Sequence, residues 1–238
     1  MIETTPGIDA ANRLEATVQL KRAITYKDAK KYESALACID EAIKLYENYP
    51  DAWLIKALIL GRLGRCNESI KCYDKVIEID YQSPNAWHLK AVTYTMINSY
   101  SQAVECDQKA AQLAPNNLEI CLSLAASLQK LKRYDEAIAK YENLLKTYPD
   151  NPQIFYQMGI ALGNKGDYEK ALDGFEQALT LKPDYIAALL GKGVALAKLG
   201  RTDEAKACAQ KVLEIQLPQT KESRFDALQQ DFKKKLEP

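Results

Sequence analysis

The chain lacks the segments that direct a protein out of the cell or into a membrane. No uncharged apolar run approaches about 18 residues, the length that indicates a membrane-spanning helix. The first residues, Met1 to Gly7, include neither the basic stretch nor the apolar stretch of a signal peptide. From these absences we expect a cytoplasmic protein without a membrane partner.

An excess of charge of one sign is also missing. The 238 residues include 32 basic and 32 acidic side chains, so the formal net charge at pH 7 is zero. Nucleic acids and anionic membranes attract proteins largely through a net positive field or a basic patch. The basic run from Lys233 to Lys235 is too short to form such a patch alone. We therefore expect no nucleic-acid partner.

Histidine is almost absent, since His88 is the only one in the chain. General acid–base or nucleophilic catalysis needs a second group positioned beside the first, and no spacing in the sequence indicates such an arrangement. A lone histidine does not make a typical zinc site either. We therefore expect no enzymatic activity, no metal and no cofactor, and we interpret His88 as a packing or binding residue.

None of the six cysteines belongs to a Cys-x-x-Cys motif. Because export is not expected, free thiols are favoured over disulfides. Four cysteines share position 23 of the repeat that the sequence contains: Cys38, Cys72, Cys106 and Cys208. Packed helices lie about 8–10 Å apart, whereas a disulfide needs Cα atoms roughly 4.4–6.8 Å apart. We predict that these four cysteines are small packing residues.

What the sequence does have is an internal repeat of 34 residues. Trp53 and Trp87 are 34 residues apart, and each follows an acidic or amide residue and an alanine. This register predicts six repeats without insertion or deletion, each with positions numbered 1 to 34. The repeats are residues 16–49, 50–83, 84–117, 118–151, 152–185 and 186–219.

Two columns of small residues indicate a pair of closely packed helices in each repeat. Position 8 is always alanine or glycine: Ala23, Ala57, Ala91, Ala125, Gly159 and Gly193. Position 20 is always alanine or serine: Ala35, Ser69, Ala103, Ala137, Ala171 and Ala205. Positions 4, 8 and 11 share one face of a first helix, and positions 20, 24 and 27 share one face of a second. Glycine recurs where the first helix should end, at Gly64, Gly166 and Gly200.

This pattern resembles the tetratricopeptide repeat (TPR). The fifth repeat matches the family pattern best, with Phe155, Gly159, Leu162, Gly166, Tyr168, Ala171, Phe175, Ala178 and Pro183. One departure is Asp107 of the third repeat, which stands where the family has phenylalanine. The resemblance implies an all-α fold, a right-handed superhelical α-solenoid of six helix-turn-helix repeats.

The two ends of the array need segments of their own, because a terminal repeat leaves an apolar face open. Residues 220–238 place Phe225, Leu228, Phe232 and Leu236 on one helical face, which predicts a C-terminal capping helix. Residues 1–15 lead into the first repeat, and Asp9 is placed to cap a helix there.

In the family that the chain resembles, the first helices line a concave surface, and positions 5 and 9 commonly face the ligand. In repeats two to six these positions hold ten residues, which we call the groove residues. They are Leu54, Leu58, His88, Val92, Leu122, Ala126, Tyr156, Ile160, Leu190 and Val194. Most are apolar, so we expect a peptide-binding groove for an extended peptide or an amphipathic helix of a protein partner. The alternative is that stacking between repeats uses all of this surface.

The family includes a second kind of binding site, and the array has a second possible role. The family's carboxylate clamp, which grips a chaperone C-terminus, needs Lys and Asn on the first helices, but positions 5 and 9 of the first repeat are Leu20 and Ile24. We therefore expect no carboxylate-clamp co-chaperone. A self-associating structural module, a homo-oligomer built through the C-terminal helix or the groove, is the alternative function.

A basic column occupies position 7, at Arg22, Lys56, Lys90 and Lys192. It is open to two interpretations. It forms a cationic strip for an acidic partner, or its stems pack between repeats while the charged groups reach water or a neighbouring carboxylate. We favour the second interpretation.

Overall fold

The structure, a computed structural model, describes residues 6–216, and these residues form twelve α-helices joined by short turns, with no strand among them. The helices are α1 (Pro6–Asp28), α2 (Tyr32–Leu45), α3 (Pro50–Arg62), α4 (Cys66–Ile79), α5 (Pro84–Met96), α6 (Tyr100–Leu113), α7 (Leu118–Lys130), α8 (Tyr134–Thr147), α9 (Pro152–Lys165), α10 (Tyr168–Leu181), α11 (Ile186–Lys198) and α12 (Thr202–Gln216). The expected all-α fold of helix pairs is confirmed. The predicted capping helix at 220–238 lies outside the described residues.

The helix boundaries follow the repeat register. From the second repeat onward, every first helix begins at position 1: Pro50, Pro84, Leu118, Pro152 and Ile186. Every second helix begins at position 17: Tyr32, Cys66, Tyr100, Tyr134, Tyr168 and Thr202. The exception is α1, which begins at Pro6, so the prediction that Asp9 caps this helix is wrong. Proline is well suited to the first helical position because its φ is already helical and it lacks an N–H that would need a partner.

The described residues divide into two compact units, with the boundary between Leu131 and Lys132. In the first unit, consecutive helices from α1 to α7 pack against each other, α1 also contacts α3, and α5 also contacts α7. In the second unit, consecutive helices from α8 to α12 pack against each other, and α9 also contacts α11. Helix pairs and their neighbours therefore form the core of each unit.

Within each unit, the small-residue columns lie where the two helices of a repeat meet. Ala57 at position 8 and Ala171 at position 20 are both completely buried. The approach is close in the fifth repeat, where a Cβ added to Gly174 would lie 3.2 Å from the Cα of Gly159. Larger side chains at these positions would hold the backbones apart, which explains the absence of large residues from both columns.

A left-handed residue ends the first helix of every repeat. Position 15 has a positive φ in all six: Lys30, Gly64, Asn98, Lys132, Gly166 and Gly200. The three glycines were expected from the sequence, but the two lysines and the asparagine adopt the same conformation. The turn between the helices therefore imposes this backbone conformation whatever residue stands there.

The lysines of position 7 pair with carboxylates of the preceding repeat. Each pair joins position 7 to position 25: Lys56 with Asp40 at 2.7 Å, Lys90 with Asp74 at 2.5 Å and Lys192 with Glu176 at 2.8 Å. These ammonium groups are thus neutralised between repeats, in agreement with the favoured interpretation. The three lysines do not form a free cationic strip.

The six cysteines are free, and five of them are buried. Burial raises the pKa of the Cys72 and Cys106 thiols to about 11. Both thiols are therefore protonated and unreactive near neutral pH, which agrees with a packing role.

Candidate binding surfaces on the first helices

The groove residues of the first unit lie on α3, α5 and α7 and differ in exposure. Leu54, Leu58 and Leu122 are half-buried, whereas Val92 is exposed. Ala126 is exposed as well, and His88 is buried. On α5, Met96 continues the exposed face one turn beyond Val92, and its side chain is 57% exposed. Part of this surface is therefore open, while the His88 side chain belongs to the packing between helices.

The groove residues of the second unit surround a cavity between α9 and α11. Tyr156 and Ile160 of α9 are half-buried, and Leu190 and Val194 of α11 are 52% and 61% exposed. Each pair is four residues apart, so both members face the same side of their helix. The cavity has a volume of about 460 Å³, and we call it the α9–α11 pocket. All four residues predicted for this unit line it.

The floor of the pocket is the ring of Phe175 on α10, held between two glycines. A Cβ added to Gly191 would lie 2.6 Å from the Phe175 ring, and one added to Gly159 would lie 2.8 Å from it. Both helices therefore meet the ring with bare backbone, and Phe175 is 3% exposed. Tyr156 packs against this ring, with centroids 6.0 Å apart, and against Tyr185 at 5.1 Å.

Neither glycine was predicted as part of the site. The signal was available, because Gly159 and Gly191 lie inside helices, where glycine is unfavourable by about 1 kcal/mol relative to alanine. An unfavourable residue inside a helix indicates a close approach, and here Gly191 leaves room for an aromatic ring of the neighbouring helix.

A buried polar pair joins α5 to α6 in the first unit. The Nδ1 of His88 lies 2.8 Å from Oδ1 of Asp107, which is completely buried. The Nε2 of His88 lies 3.8 Å from Oε1 of Glu119 on α7. Burial is the largest influence on the pKa of His88 and lowers it, but the hydrogen bond and charge of Asp107, together with Glu119, outweigh burial and raise the pKa above its ordinary value.

The sequence shows both residues of this pair, but it does not show that they are in contact. Asp107 departs from the family pattern, and His88 is the single histidine of the chain. Two polar departures in one repeat, at positions 5 and 24, were the signal that they face each other. Within residues 6–216, no group of three or more His, Cys, Asp or Glu side chains is arranged to hold a metal ion.

Comparisons with known proteins agree with the geometry of the repeats. A family model described as "Psidin, N-terminal TPR repeats region" matches residues 24–162, more than half of the chain. A second model, described as "Tetratricopeptide repeat", matches residues 164–231. The chain therefore belongs to the tetratricopeptide-repeat family. No curated protein sequence matches it.

Solved structures of other proteins have a similar fold. MamA (residue 41 to the end) from Desulfovibrio magneticus RS-1 is 20% identical, with a TM-score of 0.66 over 72% of this chain and 97% of that chain. The pilF protein of Pseudomonas aeruginosa is 15% identical, with a TM-score of 0.66 over 91% and 99%. YrrB, described as a TPR protein with an unusual peptide-binding site, is 21% identical, with a TM-score of 0.61 over 76% and 93%.

These identities show the fold alone. Proteins with this fold are generally non-enzymatic scaffolds that bind protein partners. None of the helices in the described part of the chain is both long and apolar enough to cross a membrane.

Proposed function

We propose that the chain is a protein-binding scaffold that takes an apolar side chain of a peptide or amphipathic helix into the α9–α11 pocket. The observation that carries this proposal is the exposure of Leu190 and Val194, at 52% and 61%, on the wall of a cavity floored by Phe175. Their i, i+4 spacing forms one apolar edge, and the half-buried Tyr156 and Ile160 form the opposite edge.

The size and chemistry of the pocket suit such a ligand. Its volume of about 460 Å³ lies within the range of roughly 300–1,000 Å³ that is usual for ligand pockets. Apolar surface dominates the walls, and the polar side chains of Asn164 and Lys198 lie among the lining residues. Apolar walls with few polar groups favour binding by burial of apolar area, at about 25 cal/mol per Å².

Another cavity of the second unit is less suited to an apolar ligand. It lies against α10, α11 and α12, has a volume of about 540 Å³, and is lined by Glu176, Lys192, Glu204 and Lys211 among others. Lys192 and Glu176 already pair with each other at 2.8 Å. A ligand entering there would have to separate charges that the repeat array has matched.

The first unit has an apolar surface of its own for a protein partner. Val92, a groove residue, and Met96 form an exposed apolar edge on α5. The ligand class is supported by YrrB, in which a similar fold has a peptide-binding site. A carboxylate clamp is not proposed, because Leu54 and Leu58 stand at positions where that site needs polar side chains.

The proposal is tested by selecting peptides from a random library displayed on phage against the full chain. A selected peptide is then measured by fluorescence anisotropy against the unmodified protein, Val194→Glu and a control, Leu181→Glu. Leu181 is 39% exposed at the end of α10 and does not line the pocket. We expect Val194→Glu to weaken binding at least tenfold and Leu181→Glu to leave it unchanged. Equal affinity for all three proteins would refute the pocket as the binding site.

The alternative of self-association has its own measurement. Light scattering over a concentration series distinguishes a monomer from an assembly. If the chain self-associates through the pocket, Val194→Glu should make it monomeric, and the selected peptide should compete with assembly. A monomer over the whole series favours an independent partner.

A further inference from the structure

The third repeat holds a charged side chain where most of the other repeats hold a large apolar one. Position 24 is apolar or aromatic and buried in four repeats: Ile39, Tyr73, Tyr141 and Phe175. Asp107 takes this place in the third repeat and is equally inaccessible. Its Oδ1 is bonded to His88, and among the described residues no group hydrogen-bonds its buried Oδ2. A buried carboxylate with an unsatisfied oxygen is costly unless a positive charge lies beside it.

His88 is oriented so that each ring nitrogen faces a carboxylate. Nδ1 points inward to Asp107, at 2.8 Å, and Nε2 points toward Glu119, at 3.8 Å. The Glu119 side chain is 85% exposed, so the Nε2 edge of the ring faces the surface. Only the protonated imidazole carries an N–H on both nitrogens and a positive charge between the two acids.

We propose that the contact between α5 and its neighbours α6 and α7 is pH-dependent, with protonated His88 linking Asp107 to Glu119 and the neutral ring weakening that link. Protonation of His88 places a positive charge beside the buried carboxylate of Asp107. Loss of the proton leaves Asp107 with one hydrogen bond and no neutralising cation. This property belongs to the packing of the first unit and does not depend on what the groove binds.

The direction of the pH effect follows from the pKa of His88. Burial lowers this pKa and is the largest single influence, but Asp107 and then Glu119 raise it to a greater extent, and the pKa lies above its ordinary value of 6.5. The folded chain therefore binds the proton more tightly than the unfolded chain does. The stabilisation is complete below the unfolded-state pKa and is lost as the pH rises through the folded-state pKa. Within that window, each pH unit changes the unfolding equilibrium by up to about tenfold.

Other ionisable groups around α5 do not change charge in this window or are already paired. From α4, Tyr73 faces Thr93 of α5, and burial raises the pKa of Tyr73 to about 12. Asp74, also on α4, pairs with Lys90 of α5. From α6, burial raises the pKa of Cys106 to about 11. His88 is thus the group of α5 whose protonation changes near neutral pH.

Because His88 is the only histidine, its ring protons can be followed without ambiguity by NMR of the full chain between pH 5 and 9. We expect a titration midpoint above 6.5 in the unmodified protein. Asp107→Asn should lower the midpoint, because burial remains while the charge of Asp107 is lost, and Glu119→Gln should lower it by less. A midpoint at or below 6.5 in the unmodified protein, or one that Asp107→Asn leaves unchanged, would overturn the proposal.

A second measurement covers the case in which Asp107→Asn does not fold. The double variant His88→Leu with Asp107→Tyr gives the third repeat the residues that the second repeat has at the same two positions, Leu54 and Tyr73. Urea unfolding of the unmodified and double-variant proteins is compared at pH 6.0 and 8.5. We expect the ratio of their unfolding constants to change severalfold between the two pH values, with the unmodified protein losing stability at pH 8.5. A ratio that is the same at both pH values would contradict the inference.

Discussion

The ammonium group of Lys90 lies 2.5 Å from Oδ1 of Asp74, across the boundary between the second and third repeats. The Lys90 side chain is 14% exposed and the Asp74 side chain 44% exposed. The Lys90 ammonium also lies over the Trp87 ring, 5.7 Å from its centroid. The same pairing of positions 7 and 25 recurs for Lys56 and Lys192. Stacked repeats are thus matched in charge as well as in shape.

This relationship predicts a modest, measurable coupling between Lys90 and Asp74. Asp74→Ala should lower the free energy of unfolding by about 1 kcal/mol or less, because the acid is partly exposed and screened. Asp74→Lys should cost more, since it places two ammonium groups together. Urea unfolding of Asp74→Ala, Lys90→Met and the double variant gives the coupling energy. Strictly additive losses would show that the ion pair contributes nothing.

The left-handed residue at position 15 predicts a stabilising substitution. Lys30 has a φ of 58°, which costs a non-glycine residue roughly 1 kcal/mol. Lys30→Gly should therefore raise the free energy of unfolding by roughly 0.5–1 kcal/mol, measured by urea denaturation.

The matched control is the reverse change, Gly64→Ala. Gly64 has a φ of 75°, and a Cβ added there would contact no other atom within 4 Å. Any loss of stability would therefore come from backbone strain alone, and we expect a loss of about 1 kcal/mol. Two substitutions that change stability in the same direction would contradict the assignment of strain to this position.

The small-residue column at position 20 predicts overpacking by larger side chains. Ala137 is completely buried on α8, so Ala137→Leu should destabilise the protein by about 1–3 kcal/mol. Ala139, two residues along the same helix, is exposed, and Ala139→Leu should change stability by no more than about 0.5 kcal/mol. Thermal unfolding followed by circular dichroism compares the two. Equal melting temperatures would show that position 20 tolerates bulk.

Much of the fold could be predicted because the repeat imposes the same pattern six times. The small residues of positions 8 and 20 predicted the helix pairs, and the starting positions of α3 and α5 follow the register. The start of α1 at Pro6 was missed, since the segment before residue 16 belongs to no repeat and has only local signals. A polar side chain such as Asp9 is compatible with both a cap and an early helical position.

The candidate site could be predicted only in part. The four groove residues that line the α9–α11 pocket could be named from the sequence because positions 5 and 9 recur, but exposure does not follow from position alone. At position 5, His88 is buried whereas Leu190 is 52% exposed. The difference arises from contacts between helices, such as that of His88 with Asp107, which the sequence shows only as two separate polar departures 19 residues apart in one repeat.

The most direct test of the proposed function uses two adjacent leucines of α11. Leu190 is 52% exposed on the wall of the α9–α11 pocket, and Leu189 is 3% exposed in the packing between helices. In Leu190→Glu the new charge stays hydrated in the free protein, so the free energy of unfolding should change by about 0.5 kcal/mol or less. The same charge would be buried in a complex, so binding of a selected peptide should be lost. Leu189→Glu should instead destabilise the protein by about 3 kcal/mol or more.

Urea unfolding and peptide titration of these two variants together test whether the α9–α11 pocket is a free binding surface. The account predicts that Leu190→Glu is folded and as stable as the unmodified protein but fails to bind. A Leu190→Glu protein that binds the peptide with unchanged affinity, or that is destabilised as strongly as Leu189→Glu, would contradict the pocket as a free binding surface.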